Sequence, residues 1–567
     1  MFSKETLDEA KEVREQWNKE TKRRYEGEEF ASQTGSGIPI KLVYSPDDIA
    51  HIDFKKNIGM PGVYPYTRGA YPLQYQFTPP MASHGLGFGL PEHTREIWEE
   101  YRKAQPLSMR GKQEPAMFLI PDLMTCYGYD PDHPLARGRV GVCGISMSTI
   151  EDWHRLYDGI PLDRFNTFLA FDNVFPPLAM YTVMAEENGY TMDQLHGLSH
   201  WTPYRHIADD GMATTPDLVF KLLVELLDFA TRRMPNWSTI SLSGYGFEEG
   251  GANGYQQMAL MLSVFIDVVE KAVAAGLDPD SFVPKISLFH GMEMDLLEQV
   301  AKMRATKRMY AKLVRERFGC KDPRAERPIM AIQCANVTYR GEQPMNNIIR
   351  SSFETLAGML GGASAVWTTP YDEPLGIHTE QAAMLAFRIQ QILVYETGVT
   401  KVSDPLAGSY YVEWLTDRME EEATKVMKEI EELGGYAKAW ESGLLRDMLV
   451  QQLEKYHWEI HTGEKPIVGA NIYRTDEKPV YTCRELDAEV EKTAVDRVEK
   501  FKAGRDAAKA AAAEKELRKA ASDSASGKKS GELMEATIEA ARAGCTMGEM
   551  TTALNEEFGY GHRYGGC

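Results

Sequence analysis

From about residue 115 onward, short apolar runs alternate with longer stretches in which apolar positions recur every three or four residues. The runs Ala116–Ile120, Thr167–Phe171, Thr239–Leu242, Lys285–Phe289, Met330–Cys334 and Ala363–Thr368 read as strands, and Leu195–His200 as a weaker one. Helical spacing fills the intervals 217–234, 256–275, 293–318, 347–360 and 379–397. Thr214 or Thr215 can cap the first of these, and Pro216 suits its opening turn. Seven strand–helix units and a faint eighth strand near Gly408–Glu413 predict an α/β fold, a (β/α)8 TIM barrel. An open doubly wound sheet is the alternative this pattern leaves.

The flanks differ in texture. Residues 1–30 are highly charged, with Leu7, Ala10, Val13 and Trp17 on one narrow stripe. That is an amphipathic arm, packed on its own domain or around a partner subunit. Residues 484–521 are rich in Ala, Glu and Lys and predict an exposed helix or helical hairpin. The run 522–530 (SDSASGKKS) reads as a polar linker, followed by a helical pair at Glu532–Arg542 and Met547–Phe558. The expected organisation is an arm over 1–40, a barrel over 41–420 and a helical C-terminal extension over 421–567.

Composition narrows the function. The 567 residues carry 63 Lys+Arg against 83 Asp+Glu, a net charge of −20. A broad basic face for nucleic acid is therefore not expected. The seven cysteines are dispersed, with no C-x-x-C and no ligand-like spacing with histidine, which reads as reduced thiols and no metal site. No stretch approaches 18 uninterrupted apolar residues, and residues 1–25 lack an apolar signal core. The expectation is a soluble cytoplasmic protein without a membrane partner.

In a barrel, chemistry gathers where strands end and loops begin. That rule selects Pro121-Asp122-Leu123 and Gly128-Tyr129-Asp130, then Ser243 to Gly251, then Ala335-Asn336, then Thr369 to Glu373. The glycines of 244–251 let backbone approach a bulky ligand. Glu248, Glu249 and Glu373 could accept hydrogen bonds from hydroxyls, or be solvated loop charges. G-x-S-x-G, Walker and H-E-x-x-H signatures are missing. Asp152-Trp153-His154 has the start of a cobalt-ligating D-x-H-x-x-G loop, but Tyr157 stands where the glycine belongs, and an ordinary helix start is expected.

Six ordered blocks carry a family resemblance. They are Gly62-x-Tyr64-Pro65-Tyr66-Thr67-Arg68-Gly69-x-Tyr71-Pro72, Gly128-Tyr129-Asp130-x-Asp132, Ser243-Gly244-Tyr245, Ala301-Lys302-Met303-Arg304, Asn346-Asn347-Ile348-Ile349-Arg350 and Ser403-Asp404-Pro405-x-Ala407-Gly408-Ser409-Tyr410. Together the chain resembles the barrel-bearing large subunit of the methylmalonyl-CoA mutase family, from about residue 40 to 470. The family's cobalamin-binding domain has no counterpart in these residues. That layout is similar to two-subunit members, the 2-hydroxyisobutyryl-CoA mutases among them.

The resemblance implies a radical isomerase: adenosylcobalamin homolyses, a substrate hydrogen is taken, and the substrate radical rearranges by a 1,2-shift. It implies a separate small subunit carrying the cobalt ligand, and a homodimer of large subunits within a heterotetramer. It places Glu249 and Glu373 against the adenosyl group, and Leu123, Cys143, Gly376 and Ile377 along the corrin and adenosyl. It assigns catalytic roles to Tyr245, Glu249, Glu373 and His200. Tyr71, Gln74, Gly85, Phe168, His200, Gly246, Lys285 and Ser287 fall at substrate positions.

The substrate side departs from the family. Its thioester-binding histidine is replaced by Gly246, and its T-I-R-Q segment by Met81-Ala82-Ser83-His84-Gly85. The T-I-Q segment reads Leu198-Ser199-His200, and 208–215 offers no arginine for a substrate carboxylate. Small polar residues of the CoA bore become Phe118, Phe168 and Ala170, and a phosphate-reading arginine becomes Lys285. These changes remove planar bidentate clamps and add apolar bulk. Either the bore takes a more apolar acyl substrate, with or without CoA, or the chain is a silent structural subunit paired with an active mutase. His200, Trp201, His290 and Trp367 either fill barrel layers or wall a new substrate site, where His200 or His84 could replace the hydrogen bond lost at Gly246.

Overall fold

Parallel strands bring the chemistry-bearing loops to one end of the molecule. They are β1 (Met81–Ser83), β2 (Gly85–Leu86), β3 (Met117–Leu119), β4 (Asn166–Leu169), β5 (His196–Ser199), β6 (Trp237–Ser238), β7 (Ile240–Ser243), β8 (Ile286–Met292), β9 (Met330–Cys334) and β10 (Ala365–Trp367). They lie in a computed structural model that describes residues 2–27, 33–83, 85–104, 116–171, 173–200, 215–475, 487–527 and 531–558. Two five-stranded sheets result, in the orders β1-β10-β9-β8-β7 and β2-β3-β4-β5-β6. β1 and β2 belong to one run of chain, and so do β6 and β7. The sheets therefore combine into eight parallel runs in cyclic order, the expected (β/α)8 barrel.

One strand was misplaced by the apolar pattern. The expected eighth strand near Gly408–Glu413 is the start of a helix, Tyr410–Glu432, capped by the Ser409 hydroxyl accepting from Val412 N. The missing strand lies upstream, at Met81–Leu86, so each strand-end loop belongs one position later in the barrel than its run suggested. That run is short, interrupted by Gly85 and followed at once by Gly87, which hides it from a reading of apolar stretches. The strand expected at Thr239–Leu242 is longer and split, because pairing passes from β5 to β8 around Thr239.

Helices follow the strands as the spacing predicts, with capping chemistry at their starts. Thr215 accepts from Leu218 N to open Pro216–Arg233, and Asn253 and Gln256 form a capping box before Gly254–Ala274. The interval 293–318 is shorter than expected. β8 continues to Met292, Asp295 caps the helix Leu296–Lys312, and a π-type turn at Leu313–Arg317 ends it.

Arg304, Arg308 and Lys312 stand one turn apart on that helix and face Tyr410–Glu432. Arg304 bonds Asp404 and Glu413, Arg308 bonds Asp417 and Glu420, and Lys312 bonds Glu420. The helix Tyr410–Glu432 thus crosses residue 420, the expected barrel boundary, while packed on the barrel.

The C-terminal extension is helical, as Ala488–Gly504, Ala507–Ala525, Leu533–Arg542 and Met547–Phe558. The polar run expected as a linker begins inside the second of these. Ser524 is buried and donates to Glu225 Oε1 at 2.9 Å, on the barrel helix Pro216–Arg233. The arm is the helix Lys4–Arg24, pinned by Arg14 to Asp47 and Asp48, and its stripe leaves Val13 and Trp17 exposed. Among the described residues no helix is long and apolar enough to cross a membrane.

Candidate active site

Side chains alternate along a strand, so every second residue faces the barrel axis. Register aligns Gly85, Phe118, Phe168 and Leu198 on one side of the axis, and Ser243, Phe289 and Ala331 on the other. Six rings meet there. Phe118 packs edge-on to Phe168 at 5.6 Å and to Trp367 at 4.9 Å, and lies 5.3 Å from His200. His200 lies 4.7 Å from Phe289, and Tyr245 stands edge-on to Phe289 at 6.1 Å. His200 and Trp367 therefore do line the axis. Phe289 was missed because its neighbours Leu288 and His290 make the run look uniformly buried.

His290 faces outward instead, fully buried. Its Nδ1 donates to Gln257 Oε1 at 3.1 Å, since a carbonyl oxygen can only accept. Burial, with Lys302 and Lys307 nearby, holds it well below the usual histidine range, so the ring is neutral. Trp201 and His84 lie outside the described residues, as does most of 208–215.

The expected glycine loop at 244–251 is a helical turn, Tyr245–Glu249. It separates the two acids. Glu248 is 2% exposed, not solvated. Its Oε1 accepts from Gln257 Nε2 at 3.0 Å and lies 3.9 Å from Lys302 Nζ. Burial raises Glu248 well above the carboxylate range and lowers Lys302, each opposing the other. Lys302 also donates to Gly291 O at 2.6 Å. Gly291 must be glycine, because a Cβ there would lie 1.3 Å from Glu248 Oε2.

Glu249 points to the rim at the C-terminal ends of the strands. Its Oε1 accepts from Asn336 N, just after β9, at 2.8 Å. Glu373 lies after β10 in the turn Glu373–Leu375, one third exposed, with Oε2 3.6 Å from His378 Nδ1. Cys143 belongs to the same rim: burial and then the nearby Glu373 carboxylate raise its thiol, although the residue as a whole is exposed. Asp122, buried and pushed up to about 6 by burial, accepts from Thr125 N and Gly141 N. It thereby ties the loop carrying Leu123, 45% exposed, to the loop carrying Cys143. Ile377, next to Gly376, joins Cys143, Phe88, Gly89 and Val490 around a cavity of about 560 Å³.

The remaining sequence candidates sit toward the opposite mouth. Ser287 is on the axis side of β8, two residues below Phe289. Gln74 donates to Gly362 O, just before β10, and accepts from Tyr71 N; Tyr71 is exposed beneath Arg327. Lys285 is engaged elsewhere: its Nζ donates to Ala230 O and Met234 O at the end of the helix Pro216–Arg233, and burial lowers it. Asp130 is a joint, accepting from Thr546 Oγ1 and Gly548 N of the C-terminal extension. Asp152 caps its own helix, accepting from Thr149 N at 3.0 Å, and His154 meets Glu187.

The family model described as methylmalonyl-CoA mutase matches residues 33–560. The chain is 34% identical over 556 residues to a probable mitochondrial methylmalonyl-CoA mutase of Caenorhabditis elegans, covering 96% of this chain and 72% of that protein. It is 34% identical over 536 residues to the methylmalonyl-CoA mutase of Rhizobium meliloti, covering 93% and 72%. With that of Escherichia coli it shares 33% over 545 residues, covering 95% and 74%. A family match along nearly the whole length, with relatives above 30% identity, leaves one conclusion: the chain belongs to the methylmalonyl-CoA mutase family, cobalamin-dependent isomerases of acyl-CoA thioesters.

Proposed function

We propose that the chain is the large subunit of an adenosylcobalamin-dependent carbon-skeleton mutase acting on an apolar acyl substrate. A separate small subunit supplies the cobalt ligand, and two large subunits pair within a heterotetramer in the cytoplasm. The observation that carries the reading is the retained pair Glu249 and Glu373 on the rim, above an axis rebuilt in aromatic residues.

The rim residues fit this cofactor by their chemistry. Exposed Leu123, with Ile377 and Cys143 beside the rim cavity, offers apolar contact to a macrocycle, and two carboxylates suit ribose hydroxyls. When bound, adenosylcobalamin supplies the carbon radical that opens a substrate to a 1,2-shift. Glu249 and Glu373 would hold the adenosyl hydroxyls, with Asn336 N donating to Glu249 and fixing its orientation. Tyr245 and His200 face the substrate from the axis, and the surrounding rings exclude water. Residues 1–567 hold no D-x-H-x-x-G loop, so the cobalt's protein ligand comes from outside them.

A spectral titration with adenosylcobalamin tests this. Binding should be weak for the chain alone and tight with a small cobalamin-binding subunit. Glu373→Gln should then lose a charge-assisted hydrogen bond of roughly 1.5–3 kcal/mol, about 10- to 100-fold in affinity. Unchanged affinity and an unchanged radical signal in Glu373→Gln would leave the second reading, a silent scaffold, which the filled barrel axis favours.

A further inference from the structure

Beneath the rim, a circuit of hydrogen bonds leads from Glu249 back to its own chain neighbour. Glu249 Oε1 accepts from Asn336 N at 2.8 Å. The preceding Ala335 N donates to Met292 O at 3.0 Å, tying the end of β9 to the end of β8. One residue back, Gly291 O accepts from Lys302 Nζ at 2.6 Å. Lys302 Nζ also donates to Gln257 Oε1 at 3.2 Å, and Gln257 Nε2 donates to Glu248 Oε1 at 3.0 Å. The circuit thus joins the turn Tyr245–Glu249, the helix Gly254–Ala274, β8, the helix Leu296–Lys312 and the loop after β9.

Burial divides it into a fixed part and a presented part. Gln257 and Lys302 are fully buried and Glu248 nearly so, whereas Glu249 and Asn336 are half-buried at the rim. β8 is closed onto the Glu248 carboxyl group, with Gly291 leaving no room for a Cβ. Gly244 N donates to Phe289 O at 2.7 Å and fixes the start of the turn to the same strand. A helical turn as short as Tyr245–Glu249 does not hold its own shape in water, so it takes its orientation from these bonds. Burying an ammonium and a carboxyl group costs more than apolar residues of the same volume would. What the polar circuit supplies in return is direction, which apolar contacts do not specify.

We infer that Glu248, Gln257 and Lys302 are positioning residues for Glu249: through the circuit they hold its carboxylate in one orientation at the rim, for the adenosyl hydroxyls it would bind. The inference rests on the mutase reading and adds to it the buried residues that preorganise the rim.

Gln257→Met keeps the volume and removes the bonds to Glu248, Lys302 and His290. In a crystal structure of the full-length variant, Glu249 Oε1 and Asn336 N should part beyond about 3.5 Å. Spectral titration with adenosylcobalamin, in the complex with the small subunit, should show binding about tenfold weaker for Gln257→Met and for Glu249→Gln. The double variant should lie within about threefold of Glu249→Gln, because the circuit acts through that carboxylate. Glu248→Leu should reproduce the Gln257→Met loss, and Glu248→Gln, which keeps an acceptor for Gln257 Nε2, should recover it. Arg308→Met, which breaks ion pairs to the helix Tyr410–Glu432, should lower stability and leave the affinity as it is. Where circular dichroism shows that Gln257→Met does not fold, Lys302→Met carries the comparison.

An unmoved Glu249 in Gln257→Met overturns the inference. So does undiminished affinity there while Glu249→Gln loses it, or a double variant as weak as the product of its singles. Failure of the mutase reading shows instead as unchanged affinity in Glu249→Gln itself, and the crystal geometry of Glu249 then decides the positioning alone.

Discussion

Arg304→Met should destabilise the barrel more than any exposed ion-pair substitution. The guanidinium is 1% exposed and holds two carboxylates, Asp404 and Glu413, whose side chains are 4% and 1% exposed. With it gone, Asp404 keeps Arg68 at 3.3 Å, but Glu413 keeps only Gly408 N among the bonds seen at its Oε1. Breaking a buried pair by removing one partner costs about 3–5 kcal/mol, because a charge is left in a dry site. Two carboxylates put Arg304 at the upper end. Arg308→Met should cost less, since Asp417 and Glu420 are more exposed and Lys312 still reaches Glu420.

The assay is the urea midpoint followed by circular dichroism. A chain of this size is not assumed two-state, so variants are compared by midpoint at matched slope. Arg304→Met/Asp404→Asn/Glu413→Leu should recover most of the loss, because it removes the stranded charges together with their partner. A shift in Arg304→Met equivalent to less than about 1 kcal/mol, the scale of a surface pair, would refute the argument. Acid gives a second reading. Burial alone would raise Glu420, but Arg308 and Lys312 outweigh it and hold it below the usual carboxylate range. Its contribution is therefore present at neutral pH and lost as pH falls below about 4.

Glu248→Gln should be tolerated or stabilising at pH 8. Burial raises the Glu248 carboxyl, so the folded state retains a proton that the unfolded chain releases above about pH 4, and stability falls as pH rises through the folded value. The glutamine removes that slope, and a drop of several degrees in melting temperature at pH 8 would show instead that an ionised pair with Lys302 stabilises the fold. Methylmalonyl-CoA should give no succinyl-CoA above background with the reconstituted complex. Each 1.36 kcal/mol of lost carboxylate binding costs about tenfold in rate, and chromatographic detection of steady turnover would refute the apolar substrate.

How far the sequence alone reached depends on where each signal was stored. Seven strands are visible because runs such as Ala116–Ile120 and Phe168–Phe171 are apolar on both faces, as buried parallel strands tend to be. Met81–Leu86 was hidden because Gly85 within it and Gly87 just after it are glycines required by crowding from neighbouring chain, which no local pattern records. Ser409 and Gly408 start a helix by capping chemistry, yet the apolar residues after them read equally well as a strand. At the rim, the strand-end rule located Glu248, Glu249 and Glu373 alike, and the family resemblance singled out Glu249 and Glu373. The burial of Glu248 was not legible, since Gln257 on the following helix and Lys302, far along the chain, turn an apparent loop charge into a buried acid.

The blocks that carry the family resemblance prove to be mostly joints, and that explains how the resemblance survives a rebuilt axis. Arg304 meets Asp404; Asn347 bonds Arg340 O and Tyr371 O; Arg350 reaches Val468 O; Asp130 docks the C-terminal extension. All lie in helices and loops of the outer shell. The divergent residues Phe118 and Phe168 lie on the axis, together with Phe289 and Trp367. Strand alternation keeps the two sets apart: on β8, Leu288 and His290 pack outward while Ser287, Phe289 and Gly291 face in. A change of ring or volume on the inner face therefore reaches the outer core only through backbone shifts. The shell can hold rim carboxylates in place while the axis is refitted to another substrate, and the two halves of the site are expected to respond to mutation independently.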